Sequence, residues 1–121
     1  MNKALLATLI IIFTVFITVS CSKDGSSGGG GTTTLDCSTV SNKAFAADIN
    51  PIIQSSCNVA GCHAAGSFNG PGALTNYTQV SGSASSIRTA VSSGKMPQGS
   101  TLTAAQKNSI ICWVNNGSPN N

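Results

Sequence analysis

Two cysteines and the only histidine of the chain stand together in the segment Cys57-Asn58-Val59-Ala60-Gly61-Cys62-His63. Two thiols followed directly by a histidine form the attachment pattern of a covalently bound c-type haem. Each thiol adds across one vinyl group of the porphyrin, and the histidine imidazole then lies where it can ligate the iron. Four residues separate the cysteines where the common pattern has two. Ala60-Gly61 suits the small loop that this longer spacing requires.

Two other interpretations of the motif stay open on the residues alone. The two cysteines could form a disulfide, or they could share a zinc ion with His63. Adjacent Cys62 and His63 are awkward as two ligands of one tetrahedral ion, so the motif favours haem over zinc.

The first 20 residues predict an export signal that ends at a lipid anchor. One early lysine, Lys3, precedes an apolar run over 4–19 that is short for a membrane span. The run ends in Thr18-Val19-Ser20-Cys21, which resembles a bacterial lipoprotein signal. We expect residues 1–20 to be a signal peptide and Cys21 to hold the protein on the membrane through acyl chains. Ordinary cleavage nearby and an uncleaved anchor are the alternatives. Ser22, not aspartate, follows Cys21, and the resemblance to lipoproteins then implies sorting to the outer membrane.

A flexible linker and one small domain are expected after the signal. The segment SKDGSSGGGGTTT has no apolar side chain, so residues 21–36 should form a tether. Residues 37–117 should form the domain, and residues 118–121 a disordered tail. A domain of this small size usually needs additional support, such as a disulfide or a bound cofactor. The net charge is +3, and the absence of a basic stripe argues against nucleic-acid binding.

Cys37 and Cys112 are the two cysteines not assigned above, one at each end of the domain. In an oxidising exported compartment this pair predicts a disulfide. The alternative is two unpaired buried thiols.

Helical spacing predicts three to four short helices and no strand. One helix, or two separated at Pro51 with Asn50 as a new N-cap, should lead into the cysteine motif. A short turn over 76–80 and a weak helix over 84–93 should follow. The capping box at 103–106 should begin the last helix, with Trp113 in the core. Met96 precedes a proline, so it should lie extended on a loop with its thioether free to project.

Together these residues resemble a class I c-type cytochrome, of the small exported lipoprotein type found in Bacteroidetes-like bacteria. The resemblance covers 45–117 and rests on Ile49-x-Pro51-Ile52-Ile53, Cys57-x4-Cys62-His63, Gly70-Pro71…Leu74, Met96-Pro97, Leu102 and Ile111-x-Trp113-x3-Gly117. It implies an all-α cytochrome c fold, with three to four short helices and irregular loops around one covalent haem c.

The resemblance also implies roles for five residues. Cys57 and Cys62 would bind the haem covalently, while His63 and Met96 would be the two iron ligands. The Pro71 carbonyl would accept a hydrogen bond from His63 Nδ1–H and so fix the tautomer of the ring.

The expected function is electron transfer, not enzymatic catalysis. A His/Met-ligated haem would carry single electrons between redox partner proteins, with no small-molecule substrate. The domain would lie in the cell envelope, in the periplasm or at the cell surface, tethered by lipid at Cys21. The alternatives are a five-coordinate haem peroxidase or gas-binding module, and a haem-free lipoprotein stapled by a disulfide.

Overall fold

The computed structural model describes residues 35–121. The expected signal peptide, the lipid anchor at Cys21 and most of the expected linker lie outside the described residues. No helix within 35–121 is long and apolar enough to cross a membrane.

The described part of the chain is helical, with no strand between residues 35 and 121. A π-helical turn, Phe45–Ile49, runs directly into helix α1, Asn50–Ser56. Helices α2 (Tyr77–Gly82), α3 (Ala84–Ser92) and α4 (Ala104–Asn115) follow. Irregular loops separate α1 from α2 and α3 from α4. The all-α class predicted from the sequence is therefore confirmed.

Pro51 lies in the first turn of α1 and does not interrupt the chain there. At this position proline lacks only an N–H that the first helical turn leaves unpaired. The predicted cap at Asn50 is wrong, because Ile49 already has helical dihedral angles. The Asn50 side chain instead accepts a hydrogen bond from Gln54 Nε2 at 3.0 Å.

Side-chain caps begin the second and fourth helices. Asn76 Oδ1 accepts a hydrogen bond from the Gln79 N–H at 3.1 Å at the start of α2. At α4 the predicted capping box is confirmed. The Gln106 N–H donates to Thr103 Oγ1 at 3.2 Å, and the Thr103 N–H donates to Gln106 Oε1 at 2.9 Å. Both caps satisfy amide groups that a helix start would otherwise leave unpaired.

The core forms around Trp113, which is fully buried. Its ring centroid lies 5.6 Å from that of Phe45, which in turn meets Tyr77 edge-on at 5.0 Å. Ile49 and Ile53 are also fully buried in the same cluster. Helix α4 thereby packs against both the π-helical turn and α3, and the prediction of Trp113 as a core residue is confirmed.

The predicted disulfide between Cys37 and Cys112 is present. The two residues are 75 positions apart, and Cys112 is fully buried on α4. The bond therefore joins the segment that precedes the π-helical turn to the last helix.

Residues 118–121 pack against the domain, which differs from the disordered tail expected from the sequence. Ser118 is buried, and its carbonyl accepts a hydrogen bond from the Tyr77 hydroxyl at 2.9 Å. The Pro119 carbonyl accepts from Trp113 Nε1–H at 2.9 Å. The buried indole needs an acceptor, and this segment supplies it.

Asn121 adds a second attachment, to the start of the π-helical turn. Its side-chain Oδ1 accepts from the Phe45 N–H and its backbone oxygen from the Ala46 N–H, both at 2.8 Å. These N–H groups belong to the first turn of the π-helical segment, where no preceding carbonyl is available within the helix.

Candidate functional site

The cysteine motif follows α1 directly and forms a loop that is closed by backbone hydrogen bonds. The Cys57 carbonyl accepts hydrogen bonds from the Val59 N–H at 2.9 Å and from the His63 N–H at 3.1 Å. The Cys62 N–H donates to the Val59 carbonyl at 3.0 Å. Gly61 has a φ of +81°, a conformation that glycine adopts without a steric penalty. The four residues between the cysteines thus form the small loop that the spacing predicted.

His63 is buried, and its ring is oriented by one hydrogen bond. Nδ1 lies 2.8 Å from the Gly72 carbonyl oxygen. A carbonyl can only accept, so Nδ1 carries the proton and donates it. In the neutral imidazole Nε2 then has the lone pair that a metal ligand requires. The histidine is therefore held in the tautomer suited to binding a metal through Nε2.

The acceptor is Gly72, and the prediction of Pro71 for this role is wrong. Gly72 has a φ of +88°, a left-handed conformation that residues other than glycine rarely adopt. The chain turns there, so the carbonyl that reaches the ring lies one residue beyond the proline. Two residues later the Leu74 N–H donates to the His63 backbone carbonyl at 2.8 Å, which holds this segment beside the histidine.

The loop after His63 also folds back onto the second cysteine. Asn69 Nδ2 donates to the Gly61 carbonyl at 2.9 Å and to the Cys62 carbonyl at 3.3 Å. The Ser67 hydroxyl donates to the same Cys62 carbonyl. These bonds tie the motif to the glycine-rich loop and restrict the position of Cys62.

All five site residues predicted from the sequence line one cavity of about 450 Å³. Its volume falls in the range of about 300–1,000 Å³ typical of small-molecule and cofactor pockets. Apolar side chains from the loop after His63 and from α3 form part of its wall. The residues relevant here are Cys57, Cys62, His63, Pro71 and Met96, with Leu74, Ile87 and Val91 among the apolar ones.

Met96 reaches this cavity from the loop that follows α3. Gly94, with a φ of +72°, ends the helix. The Met96 N–H donates to the Ala90 carbonyl at 3.1 Å, which holds the loop against α3. Met96 is half-buried and lines the cavity together with Pro97. The prediction of a loop position for Met96 is confirmed.

Cys57 and Cys62 are separate thiols in the structure. Burial raises the pKa of the Cys57 thiol, and the nearby Cys62 raises it further. A raised pKa disfavours the thiolate that zinc binding or nucleophilic catalysis would use. Within residues 35–121 no group of three or more His, Cys, Asp or Glu side chains is arranged to hold a metal ion.

Sequence reasoning missed two residues of the site. The Gly72 carbonyl binds His63, and Lys95 is the one lysine or arginine among the described residues that line the cavity. No aspartate or glutamate belongs to that lining. The position of Lys95 directly before Met96 was a signal that could have placed it at the site.

Comparisons with protein-family models, with curated proteins and with solved structures found no match for this chain.

Proposed function

We propose that this protein is a mono-haem c-type cytochrome that carries single electrons between redox partner proteins of the cell envelope. One observation carries the proposal: two thiols, a buried imidazole and a thioether line a single cavity. Met96 follows His63 by 33 residues, so sequence proximity does not account for their meeting.

The residues of the cavity suit a covalently attached haem, whose iron would accept and release one electron. Cys57 and Cys62 would supply the thiols for two thioether bonds, and the hydrogen-bonded loop between them brings both to the cavity. His63 offers Nε2 because its Nδ1–H is held by the Gly72 carbonyl, a hydrogen bond that also increases the basicity of a ligating nitrogen. Met96 would offer its thioether as a second ligand of the iron.

The same residues favour an electron carrier over an enzyme. If His63 and Met96 both ligated the haem iron, a substrate or a gas could bind the iron only by displacing one of them. No carboxylate belongs to the described cavity lining. Histidine–methionine ligation also raises the reduction potential, and the apolar wall adds to this by limiting the access of water.

The proposal includes a lipid tether at Cys21 and a flexible linker ahead of the domain. Its support is the sequence pattern at 18–21 and the glycine-rich composition of the following segment. Such a tether would let the domain reach partners on a membrane without a spanning helix.

Mass spectrometry tests the covalent attachment of haem directly. The protein should be produced in cells that can attach haem c, and its intact mass measured after acid–acetone extraction. We expect the wild type to retain one haem and Cys57→Ala/Cys62→Ala to lose it, while both keep the Cys37–Cys112 bond as a control for folding. A wild-type mass equal to that of the bare polypeptide would refute the proposal.

A further inference from the structure

The charges around the cavity are distributed very unevenly. Between Asp48 and Arg88 the sequence contains no lysine, arginine, aspartate or glutamate. The cysteine motif, the loop after His63 and helix α2 therefore bring no ionised carboxylate, ammonium or guanidinium group to the site. Among the described residues that line the cavity, Lys95 is the one lysine, arginine, aspartate or glutamate.

A second, shallower cavity of about 410 Å³ adjoins the first along helix α3. The two share Ser86, Ala90 and Lys95 in their linings. The other residues of the second cavity are hydroxyl-bearing: Ser85, Thr89 and Ser93. The polar side of the site is therefore the edge formed by α3 and Lys95.

Three side-chain groups at this edge are available to donate hydrogen bonds. Thr89 and Ser93 already donate their hydroxyl hydrogens to backbone carbonyls of α3. Ser85 Oγ, Ser86 Oγ and Lys95 Nζ make no hydrogen bond to any other described residue, and all three residues are exposed. Of these, Ser86 and Lys95 line the first cavity, whereas Ser85 lines only the second.

The rim formed by the loops of 59–71 is different in character. It carries the two large apolar side chains that are exposed in the described domain, Val59 and Phe68, the latter 97% exposed. The Asn69 amide nitrogen on this rim already donates to the carbonyls of Gly61 and Cys62. This rim therefore offers little to an anion.

A haem has one acidic edge, which bears its propionate carboxylates. Moving a carboxylate out of water without a partner is costly, so this edge should face solvent and a cation. We propose that the propionate edge lies along α3, with a carboxylate paired to Lys95 Nζ and within reach of the Ser86 hydroxyl. This inference rests on the proposed function and gives the cofactor an orientation within the cavity.

A zero-length cross-link tests the contact in the haem-bearing protein. A water-soluble carbodiimide joins a carboxylate to an amine that touches it, forming an amide while the reagent takes up the water. Digestion should yield the haem peptide of Cys57 and Cys62 linked to the peptide that contains Lys95. Lys95→Arg keeps the charge but removes the reactive amine, so it should keep its haem and lose this linkage.

The midpoint potential supplies a second, independent measurement. The potential changes by the difference between the interactions of the Lys95 charge with ferric and with ferrous haem. An exposed charge pair is worth about 1 kcal/mol at most, which sets the upper bound of this difference at about a fivefold change in the ferric-to-ferrous ratio. For one electron this corresponds to about 40 mV. Lys95→Gln should lower the potential by up to this amount, because removing a cation near the iron favours the ferric state. Lys107→Gln is the matched control, since Lys107 does not line the cavity, and it should shift the potential much less.

The outcomes separate this inference from the proposed function. A protein that carries haem but shows no cross-link at Lys95 would overturn the inferred orientation and leave the cytochrome assignment intact. Equal potentials for Lys95→Gln and Lys107→Gln would also count against it. A protein without covalent haem would overturn both.

Discussion

Removing the Cys37–Cys112 bond should destabilise the domain by a large and calculable amount. The bond closes a loop of 75 residues, and the chain-entropy relation then predicts a loss of about 4.5 kcal/mol in the free energy of unfolding. Small domains are stable by only about 5–15 kcal/mol. We therefore expect Cys37→Ala/Cys112→Ala to lose a large share of its stability, and a haem-free form of this variant to be largely unfolded.

Urea denaturation followed by circular dichroism measures the effect. The midpoint should fall, and the slope m should rise because the unfolded chain without the cross-link exposes more surface. Cys37→Ala alone is the control, because it breaks the bond but keeps the buried Cys112 sulfur. Similar losses in the single and double variants would assign the effect to the bond, whereas a loss below about 1 kcal/mol in both would contradict the chain-entropy argument.

Three further predictions concern the proposed iron ligand Met96, the proposed anchor at Cys21 and residues 118–121. Met96→Ala should lower the reduction potential, abolish the weak long-wavelength sulfur-to-iron band and admit carbon monoxide; rapid carbon monoxide binding by the wild type would instead favour a five-coordinate haem. Cys21→Ala should release the protein from the detergent-soluble membrane fraction, and unchanged partitioning would favour an uncleaved anchor. Deleting residues 118–121 removes five hydrogen bonds and should lower the free energy of unfolding by about 2–5 kcal/mol, measured by urea denaturation. A loss near zero would show that water replaces these partners.

Local signals in the sequence predicted most of the helices. The capping box at Thr103 and the glycine after α3 act within a few residues of the helix ends that they define, so single-sequence patterns suffice to find them. Trp113 was placed in the core because its neighbours repeat at helical spacing. In each of these cases the interaction that decides the structure is nearly contiguous in the chain.

The errors arose where the decisive partner is distant in sequence or lies in the backbone. The polar composition of residues 118–121 predicts disorder. Their carbonyls nevertheless accept hydrogen bonds from the Trp113 indole and from an N–H group of the first helical turn. Composition describes side chains and says nothing about where a carbonyl will point. The wrong prediction of Pro71 as the partner of His63 has the same origin. The positive φ of Gly72 decides that the Gly72 carbonyl, and not that of Pro71, faces the ring.

Helix α4 explains how residues from separate loops come to line one cavity. It packs against the π-helical turn, which continues into α1 and the cysteine motif, and also against α3, which ends at the Met96 loop. Trp113 packs against Phe45 of the π-helical turn, and the Cys37–Cys112 disulfide holds the segment before that turn to α4. The two walls of the cavity therefore share one support. A substitution that shifts α4 should disturb both His63 and Met96, even though α4 contributes no residue to the cavity lining.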